Sequence, residues 1–363
     1  MKTSVSLVLL FAMLAGIQAQ SGKGKCGSDA HFLNMLNTNP QIKSEWEESY
    51  KKLSVGESVD QDQQGRIAGM VPNPTPYDSL VPEKISVPIV FHIIAPTEDH
   101  PANISDEQIL DQLDELNRAF AQEDYSNTSL FPSLWYDRYA RNTGIRFCLA
   151  NRDPKGNPTK GITRRFNEVP SYTYQNGVAD DAMKYSNQRG QDAWPKEDYL
   201  NVWVVVLANN SEALGWATYP IDGYDEDEYG IVVGYRNFGP GGTAAPPFEL
   251  GRTLIHEAGH YLGLMHTWGM YENDCMYDDL IDDTSEQASP NFSCDMTVTP
   301  SGGLAPPWTT TCDGQRDMLQ NFMNASADAC NTFFTQEQAS QMKSTLQAGG
   351  YWYSLFLSTK GCN

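Results

Sequence analysis

The sequence predicts an α+β protein in which a regular half, with a twisted mixed sheet and two helices, precedes an irregular half cross-linked by cysteines. Three observations predict this division. Short apolar and β-branched runs typical of strands occur between residues 85 and 235. A helical segment follows and stops at Gly263. The remaining chain is rich in Gly, Pro, Asp and Cys until a last helix begins.

Five segments have the composition of β-strands. The first alternates between apolar and polar residues and then becomes wholly apolar. The third, at 199–207, is almost entirely apolar and β-branched, which is typical of a central strand. The segments are 85–94, 144–150, 199–207, 214–219 and 230–235. Together they predict the sheet of the regular half.

Three helices are predicted from their terminal signals. Ser105 is a suitable N-cap because Gln108 lies three residues on and apolar residues follow at helical spacing. By the same capping pattern, Thr335 begins the last helix. Between these two, the prolines at 246–247 mark the start of a helix that we expect to continue to Leu262.

The first residues have the composition of a secretory signal. Lys2 supplies a positive charge, residues 5–17 are mostly apolar, and Ala19 is a small residue that suits the position before a cleavage site. The alternative is a membrane anchor, but the apolar run is short for a bilayer and no stop-transfer charges follow it. We therefore expect residues 1–19 to be a signal peptide and the protein to be secreted, extracellular and without a membrane anchor.

The segment 20–84 differs in composition from the rest of the chain. It is polar and ends in a proline-spaced stretch, which is the composition of a linker. The whole chain carries a formal net charge of −21. Because such a chain repels phosphate backbones, nucleic acid is not an expected partner.

The cysteines and the glycosylation sequons agree with export. Four of the seven cysteines lie between residues 275 and 330, which in an exported chain indicates disulfides in a loop-rich region. Spacing alone does not choose among the pairings that are possible. N-x-Ser/Thr sequons, which predict a glycoprotein if the host glycosylates, occur at Asn103, Asn127, Asn209, Asn291 and Asn324.

Residues 256–266 read HEAGHYLGLMH and contain the pattern H-E-x-x-H-x-x-G-x-x-H. His256 and His260 are four residues apart, so both imidazoles leave one face of a helix and can bind one zinc ion at about 2 Å. Gly263 lets the chain leave the helix, and His266 can return to the metal as a third ligand. The alternative, three histidines that only satisfy hydrogen bonds in a core, is disfavoured because five fixed residues rarely occur together by chance.

The spacing of the motif also leaves a fourth zinc position open for water, as in a catalytic site rather than a structural one. Glu257 is adjacent to the first ligand, and its carboxylate can reach that water. Zinc lowers the pKa of such a water to about 7, so Glu257 can accept its proton during attack on a peptide carbonyl. The same group can then protonate the leaving amine. The motif therefore predicts a zinc peptidase with Glu257 as its catalytic residue.

The elongated motif resembles that of the metzincin clan, which also has a methionine turn beneath the metal. Met323, in the sequence NFMNAS at 321–326, is similar to that turn. Within the clan the chain resembles the pappalysin family, especially its ulilysin-like and cytophagalysin-like members. The similarity covers most of the chain and is carried by 88–92, 104–117, 149–164, 199–203, 214–220, 260–264 and the stretch around Cys330.

The resemblance implies a two-lobed metzincin catalytic domain over 85–363, with an upper lobe at 85–263, a lower lobe at 264–363 and the active cleft between them. It implies that residues 20–84 are a propeptide. It further implies that 214–220 form the edge strand of the cleft, where unpaired amides can hold a protein or peptide substrate as an added, extended strand. We expect the domain to be a monomer.

The resemblance also gives roles to the cysteines. The tripeptide Lys-Cys-Gly at 25–27 is similar to an element of the family's propeptides. This implies that Cys26 fills the fourth zinc position and keeps the precursor latent, because a thiolate is a good zinc ligand. The alternative is an odd cysteine that pairs elsewhere. For the others the resemblance implies Cys275 with Cys312 and Cys294 with Cys330, which leaves Cys148 for Cys362.

An acidic loop near residue 280 resembles the calcium loop of ulilysin-like proteins. This implies Ca²⁺ ligands at Asp279, Asp283 and Thr284, because hard carboxylate oxygens at close spacing suit calcium. The alternative is a solvated acidic loop. One position departs from the family, since a tyrosine that helps to stabilise the oxyanion normally lies two residues after the turn methionine, and here that residue is Ala325.

The expected function is that of a secreted zinc endopeptidase, made as a precursor, that hydrolyses extracellular proteins. The alternative is a weakly active or inactive zinc-containing binding protein. Ala325 favours this alternative, whereas the intact Glu257 disfavours it. A purely structural zinc module is disfavoured by the open three-histidine geometry.

Overall fold

The computed structural model describes the backbone of residues 26–54, 85–123, 137–273, 275, 278–292, 297–298, 304–305, 312 and 314–361. The expected signal peptide and the proline-spaced stretch before residue 85 lie outside the described residues. So do Asn127, Cys294 and Cys362.

All five predicted strand segments contain a strand, and further short strands occur between them. In chain order the elements are α1 (Ser28–Thr38), α2 (Pro40–Ser54), β1 (Ile85–Ala95), α3 (Asp106–Ala121), β2 (Ile145–Leu149), β3 (Ile162–Phe166), β4 (Tyr174–Gln175), β5 (Val178–Ala179), β6 (Leu200–Val205), β7 (Gly215–Ala217), β8 (Ile231–Gly234), α4 (Arg252–Tyr261), β9 (Thr297–Val298), β10 (Leu304–Ala305), α5 (Gln336–Leu346) and α6 (Tyr353–Leu357).

Six strands form one mixed sheet in the order β2-β1-β6-β8-β7, and β3 also pairs with β1. The pairings are parallel except that β7 runs antiparallel to β8. Every residue of β6 is buried, as expected for a central strand of a sheet covered on both faces. Strand β7 lies at one edge, so the predicted edge strand is in place.

Helices α3 and α5 begin where the capping residues predict. The Ser105 hydroxyl accepts from the backbone N–H of Gln108 at 3.1 Å, and Thr335 forms a complete capping box. Helix α4, however, begins at Arg252, so the predicted start at the prolines 246–247 is wrong. Gly251 has a φ of 77°, a left-handed conformation through which a right-handed helix cannot continue, and the helix starts after it.

The structure corrects the linker composition inferred for the N-terminal segment, because residues 28–54 form α1 and α2. Few apolar residues occur here, but they fall on one face of each helix and are buried. They join the same hydrophobic core as the sheet and α4. The buried apolar side chains of the segment are Phe32, Met35, Leu36, Trp46 and Tyr50.

The chain after α4 is largely irregular until α5, as predicted. The expected Cys275–Cys312 disulfide is present in this part. Cys148 and Cys330 are also disulfide-bonded. Their expected partners lie outside the described residues, so those two pairings stay predictions. In the ranges that the structure describes, no helix is long and apolar enough to cross a membrane.

Candidate functional site

Helix α4 presents two imidazoles from one face. His256 and His260 are fully buried, and their Nε2 atoms lie 3.1 Å apart. The helix has to hold these side chains against the sheet, and it does so because Leu254, Ile255 and Ala258 pack into the main core. The predicted spacing of the two histidines therefore produces the predicted convergence.

A glycine turn brings the third histidine back to the first two. Gly263 has a φ of 93°, which side chains rarely adopt. Beyond it, Nε2 of His266 lies 3.1 Å from Nε2 of His256 and 3.2 Å from Nε2 of His260. The His266 ring stacks on Trp268 with a centroid separation of 4.1 Å. The three Nε2 atoms thus form a nearly equilateral triangle.

The outer nitrogens of the three rings have hydrogen-bond acceptors. Nδ1 of His256 donates to the carbonyl of Phe322 at 2.6 Å, and Nδ1 of His260 donates to the carbonyl of Leu264 at 2.7 Å. Nδ1 of His266 contacts a carboxylate of the N-terminal segment. Each contact places the ring proton on Nδ1, so each Nε2 is left with a lone pair that faces the other two.

Three converging lone pairs repel one another unless a cation lies between them. Ligands on a tetrahedral zinc ion at about 2.0–2.1 Å are separated by roughly 3.3 Å, close to the 3.1–3.2 Å between the Nε2 atoms here. Burial, followed by the charge of His266, lowers the pKa of His260 to about 3, so this ring is neutral as ligation requires. The residues present fit a zinc ion.

Met323 lies directly beneath the helix that carries the first two histidines. It is fully buried, and a Cβ atom at Gly259 would lie only 2.4 Å from its sulfur. The glycine between His256 and His260 is therefore needed for the close approach of Met323. The turn is fixed by the Asn321 side chain, which accepts from the Met323 N–H at 2.8 Å.

Glu257 lies beside the histidines and contacts the N-terminal segment. It is fully buried, and its Oε2 accepts from the hydroxyl of Ser28 at 2.8 Å. The same hydroxyl accepts from the backbone N–H of Ala217 in β7 at 2.8 Å. One side chain of the segment therefore engages both the carboxylate and the edge strand.

The thiol of Cys26 faces the same point as the histidines. Its Sγ and one nitrogen from each of the three rings all lie within 4.8 Å of one another, and Sγ is 3.4 Å from Oε2 of Glu257. Burial, then the charges of Glu257 and Asp29, raise the pKa of the thiol. A bound cation acts in the opposite direction and favours the thiolate.

Backbone pairing holds this thiol in place. Cys26 forms a parallel bridge with Gly215, and the Gly27 N–H donates to the Gly215 carbonyl at 2.9 Å. The segment thus lies along strand β7, the edge strand of the sheet.

Asp29 is a site residue that the sequence did not reveal. One carboxylate oxygen contacts Nδ1 of His266, and the other accepts from the hydroxyl of Tyr219 at 2.7 Å. Burial would raise the pKa of Asp29, but its contact with His266 and the hydrogen bond from Tyr219 leave the pKa of this carboxyl lowered. Neither Asp29 nor Ser28 belongs to a spacing pattern, and their closeness to Cys26 in the sequence was the only available signal.

A cavity of about 820 Å³ opens beside the site, next to the start of the edge strand. Ala325 lies in its wall together with Leu214, Pro247 and Phe292. The hydroxyl of the next residue, Ser326, is turned away and donates to the carbonyl of Asn291 at 3.1 Å. Ala325, where the resemblance predicts a tyrosine, therefore places only a small side chain on the wall of an open cavity.

The acidic loop contains two largely buried carboxylates, Asp279 and Asp283, and the charge of the second acts on the first. Asp279 Oδ1 accepts from the Thr284 hydroxyl at 2.8 Å, and Asp283 Oδ2 accepts from the Glu337 N–H at 3.0 Å. The other oxygen of each carboxylate is buried without a hydrogen-bond partner among the described residues. Burial raises the pKa of Asp279 and raises that of Asp283 to about 6.

Solved structures resemble the fold described above. Mature mirolysin of Tannerella forsythia, in complex with a cleaved peptide, aligns with a TM-score of 0.65 and 32% sequence identity, covering 76% of this chain and 96% of mirolysin. A mutant of Tannerella forsythia promirolysin aligns with a TM-score of 0.71 and 29% identity, covering 92% of this chain and 97% of promirolysin.

Curated relatives and a family profile agree with these structures. An extracellular metalloprotease of Arthroderma gypseum is 28% identical over 270 residues, 73% of each chain. An extracellular metalloprotease of Colletotrichum graminicola is 26% identical over 352 residues, 95% of this chain and 98% of the relative. The profile of the family described as Pregnancy-associated plasma protein-A matches residues 183–347.

The fold and the cluster of histidines beside a glutamate define a metalloprotease of the metzincin type. The chain belongs to the Pregnancy-associated plasma protein-A family, the pappalysins. It is an extracellular metalloendopeptidase that acts on peptide substrates. The alternative of an inactive binding protein is not favoured by any of these findings.

Proposed function

We propose that the chain is the latent precursor of a secreted zinc endopeptidase. His256, His260 and His266 hold the zinc ion, and Glu257 acts as general base and general acid. The observation that carries the proposal is the convergence of three unprotonated Nε2 atoms beside a buried carboxylate at the edge of the sheet.

Zinc, when bound, supplies Lewis acidity and lowers the pKa of water in its open position. Glu257 then accepts a proton from the attacking water and returns it to the leaving amine. Strand β7 aligns the scissile peptide, because its outer edge offers backbone groups to an extended chain. Glu257 has to lie close both to the zinc-bound water and to the substrate. It is adjacent in sequence to the ligand His256, and its side chain lies next to Gly215 of β7.

Residues 1–19 are proposed as the signal peptide, 20–84 as the propeptide and 85–363 as the catalytic domain, which we propose acts as a monomer. The proposal that the precursor is latent is supported by the positions of residues 26–28 in the site. Cys26 faces the position that water needs, and Ser28 binds the carboxylate and a β7 amide. In the precursor we therefore propose that the Glu257 carboxylate is engaged by Ser28, the edge of β7 is paired with the segment, and the fourth zinc position is filled by Cys26.

The first test is Glu257→Gln in the mature enzyme. We expect cleavage of casein or an unstructured peptide to be abolished, because glutamine cannot accept the proton, while zinc stays near one ion per chain. Zinc content by metal analysis and a timed peptide assay, with and without chelator, measure this. Glu107→Gln, on the exposed first turn of α3, is the control and should be fully active. Wild-type turnover of the Glu257 variant would contradict the assignment.

The second test is Cys26→Ala in the precursor. Without the thiol the fourth position is open to water, so we expect this precursor to be active or to process itself without prior cleavage. Gel analysis over time follows the processing. The double variant with Glu257→Gln should remain intact, which separates self-processing from a contaminating protease. If the Cys26→Ala and wild-type precursors are equally latent, the thiol has no part in latency.

We also propose a calcium ion in the acidic loop, with Asp279, Asp283 and Thr284 as ligands. The support is the pair of buried carboxylate oxygens that have no partner among the described residues, because a hard cation satisfies such oxygens. Calcium titration of the thermal stability of Asp279→Asn and wild type tests this. A wild-type protein that calcium does not stabilise would contradict it.

Glycosylation, where the host carries it out, is proposed at exposed sequons. Asn209 is exposed. Asn324 is fully buried, and its amide nitrogen donates to Gln287 and to the carbonyl of Met318. The folded protein therefore has no room for a glycan at Asn324.

A further inference from the structure

Two of the three histidines are oriented by the catalytic domain itself, and one is not. The carbonyls of Phe322 and Leu264 hold Nδ1 of His256 and His260. The partner that the structure gives Nδ1 of His266 is Asp29, which lies in the first turn of α1, 237 residues away. The orientation of the third histidine thus depends on the N-terminal segment.

Asp29 is also a stronger partner than a carbonyl. Its side chain is largely buried, with 16% exposed, and the Tyr219 hydroxyl fixes its other oxygen at 2.7 Å. A carboxylate behind a metal-bound histidine fixes its tautomer and raises its basicity more than a neutral acceptor does. Asp29 therefore meets the requirements of an outer partner of the metal site.

We propose that Asp29 is a positioning residue for the metal, supplied by the propeptide. This inference rests on the proposed function, because it assumes that His266 is a zinc ligand and that residues 20–84 are a propeptide. Propeptide removal then takes away two contributions to metal binding, the thiol of Cys26 and the carboxylate behind His266. The precursor holds its metal more tightly than the mature enzyme, and activation converts a closed, stable site into an open, more labile one.

The competing explanation is that Asp29 only anchors the segment. An acidic residue in the first turn stabilises a helix, and Asp29 also bonds Tyr219. Such an anchoring role would affect docking of the segment without a direct effect on the ligand. The two roles differ in what they do to metal release from a precursor whose segment is still docked.

The test measures the rate at which a chromogenic chelator removes zinc from the full-length precursor. Asparagine at position 29 keeps the shape and one acceptor but removes the charge. We expect Asp29→Asn to release zinc about 10–100-fold faster than wild type. The control is Asp181→Asn, which alters a contact of the same segment with His31 and touches no ligand. Its zinc release should match the wild type.

Cobalt substitution reports docking separately, because a thiolate-to-cobalt charge-transfer band shows that Cys26 is on the metal. An Asp29→Asn precursor that keeps this band and releases zinc at the wild-type rate would overturn the inference. Equal acceleration by Asp181→Asn would also overturn it, since docking alone would then explain the effect. Absence of the band in the wild-type precursor would count against the latency proposal and not against the role of Asp29.

If Asp29→Asn loses the band, Tyr219→Phe decides the question. This variant leaves the segment intact and removes the second partner of the carboxylate. The Tyr219 hydroxyl also lies 3.0 Å from Nδ1 of His260, so both forms lose that contact. We therefore expect the variant to accelerate zinc release more in the precursor than in the mature enzyme, which lacks Asp29. No change in the precursor, or the same change in both forms, would overturn the inference.

Discussion

The hydroxyl of Ser28 contacts two groups of the site at once. It donates to Glu257 and accepts from Ala217, so one oxygen engages the buried carboxylate and a backbone amide of the edge strand. Because serine has one donor hydrogen and two lone pairs, both bonds form at the same time. A single small side chain thus imitates the contacts that water and a peptide would make.

Ala325 stands where the resemblance to the family predicts a tyrosine. We predict that Ala325→Tyr in the mature enzyme raises kcat on an unstructured peptide, by up to on the order of 10²-fold, with little change in KM, because the added donor acts only when the oxyanion forms. The cavity beside Ala325 has room for the ring. Steady-state kinetics on both forms at matched zinc content measure the effect.

The control for this prediction is Ala325→Phe, which adds the ring without the hydroxyl. It should fill the same part of the cavity and leave kcat near the wild-type value. A tyrosine variant no faster than the phenylalanine variant would mean that another group already supplies the donor. Ser326 is not that group in this structure, since its hydroxyl bonds Asn291.

Helix α1 carries a titratable contact apart from the metal site. His31 is buried, and its Nε2 lies 3.7 Å from a carboxylate oxygen of Asp181. Lys184, fully buried, and the ring of Tyr224 also face it. Burial lowers the pKa of His31 to about 4 despite the attraction of Asp181. His31 is therefore neutral while helix α1 is docked on the catalytic domain.

This contact predicts that acid weakens the precursor. The pKa of His31 rises from about 4 when docked to about 6.5 when undocked, so the stabilisation is complete above pH 6.5 and is lost as pH falls towards 4. The loss amounts to roughly 3 kcal/mol in total. Urea unfolding of the wild-type and His31→Gln precursors at a series of pH values isolates this loss. Only the wild type should show a free energy of unfolding that falls between pH 6.5 and pH 4 because of His31. Parallel pH profiles for both proteins would contradict the prediction.

The elements that the sequence predicted well are those set by local patterns. The alternation in β1 and the caps of α3 and α5 involve neighbouring residues, so they can be recognised without the fold. The convergence of His256 and His260 was predictable for the same reason, since helical spacing brings the two rings together. The contacts of Ser28 with Glu257 and of Asp29 with His266 join residues more than 200 positions apart, and no local pattern indicates them.

Helices α1 and α2 were not predicted, for a related reason. Their composition is polar, and only a few apolar side chains mark the buried face. They are stable because Phe32 packs on Tyr219 and because Trp46 and Tyr50 join the core of the catalytic domain. Tertiary packing, not helix propensity, accounts for them.

The molecule as a whole combines a sheet-based half with a loop-rich half that needs covalent support. The Cys275–Cys312 disulfide spans a sequence separation of 37 in the second half. We predict that the double variant Cys275→Ser, Cys312→Ser lowers the free energy of unfolding by about 3–4 kcal/mol, because the crosslink restricts the unfolded chain. Urea unfolding measures this.

The comparison is made on the mature domain, from which the segment that carries the free thiol of Cys26 has been removed, so this thiol cannot form new pairs with the remaining cysteines. Peptide mapping under non-reducing conditions checks the remaining pairs, Cys294 with Cys330 and Cys148 with Cys362. A double variant as stable as wild type, or a different set of linked peptides, would contradict the proposed framework.

The four residues from Cys26 to Asp29 place limits on how this protein can evolve. Cys26 faces the three histidines, Ser28 the Glu257 carboxylate and Asp29 the third histidine, and the pairing with Gly215 fixes the register of the segment. Inserting or deleting one residue here would displace at least one of these groups, because Ser28 and Asp29 begin helix α1 and a shift of one helical residue turns a side chain by about 100° around the helix axis. Relatives that keep this form of latency should therefore differ in length elsewhere, for example in the proline-spaced stretch before residue 85, and not between these four positions.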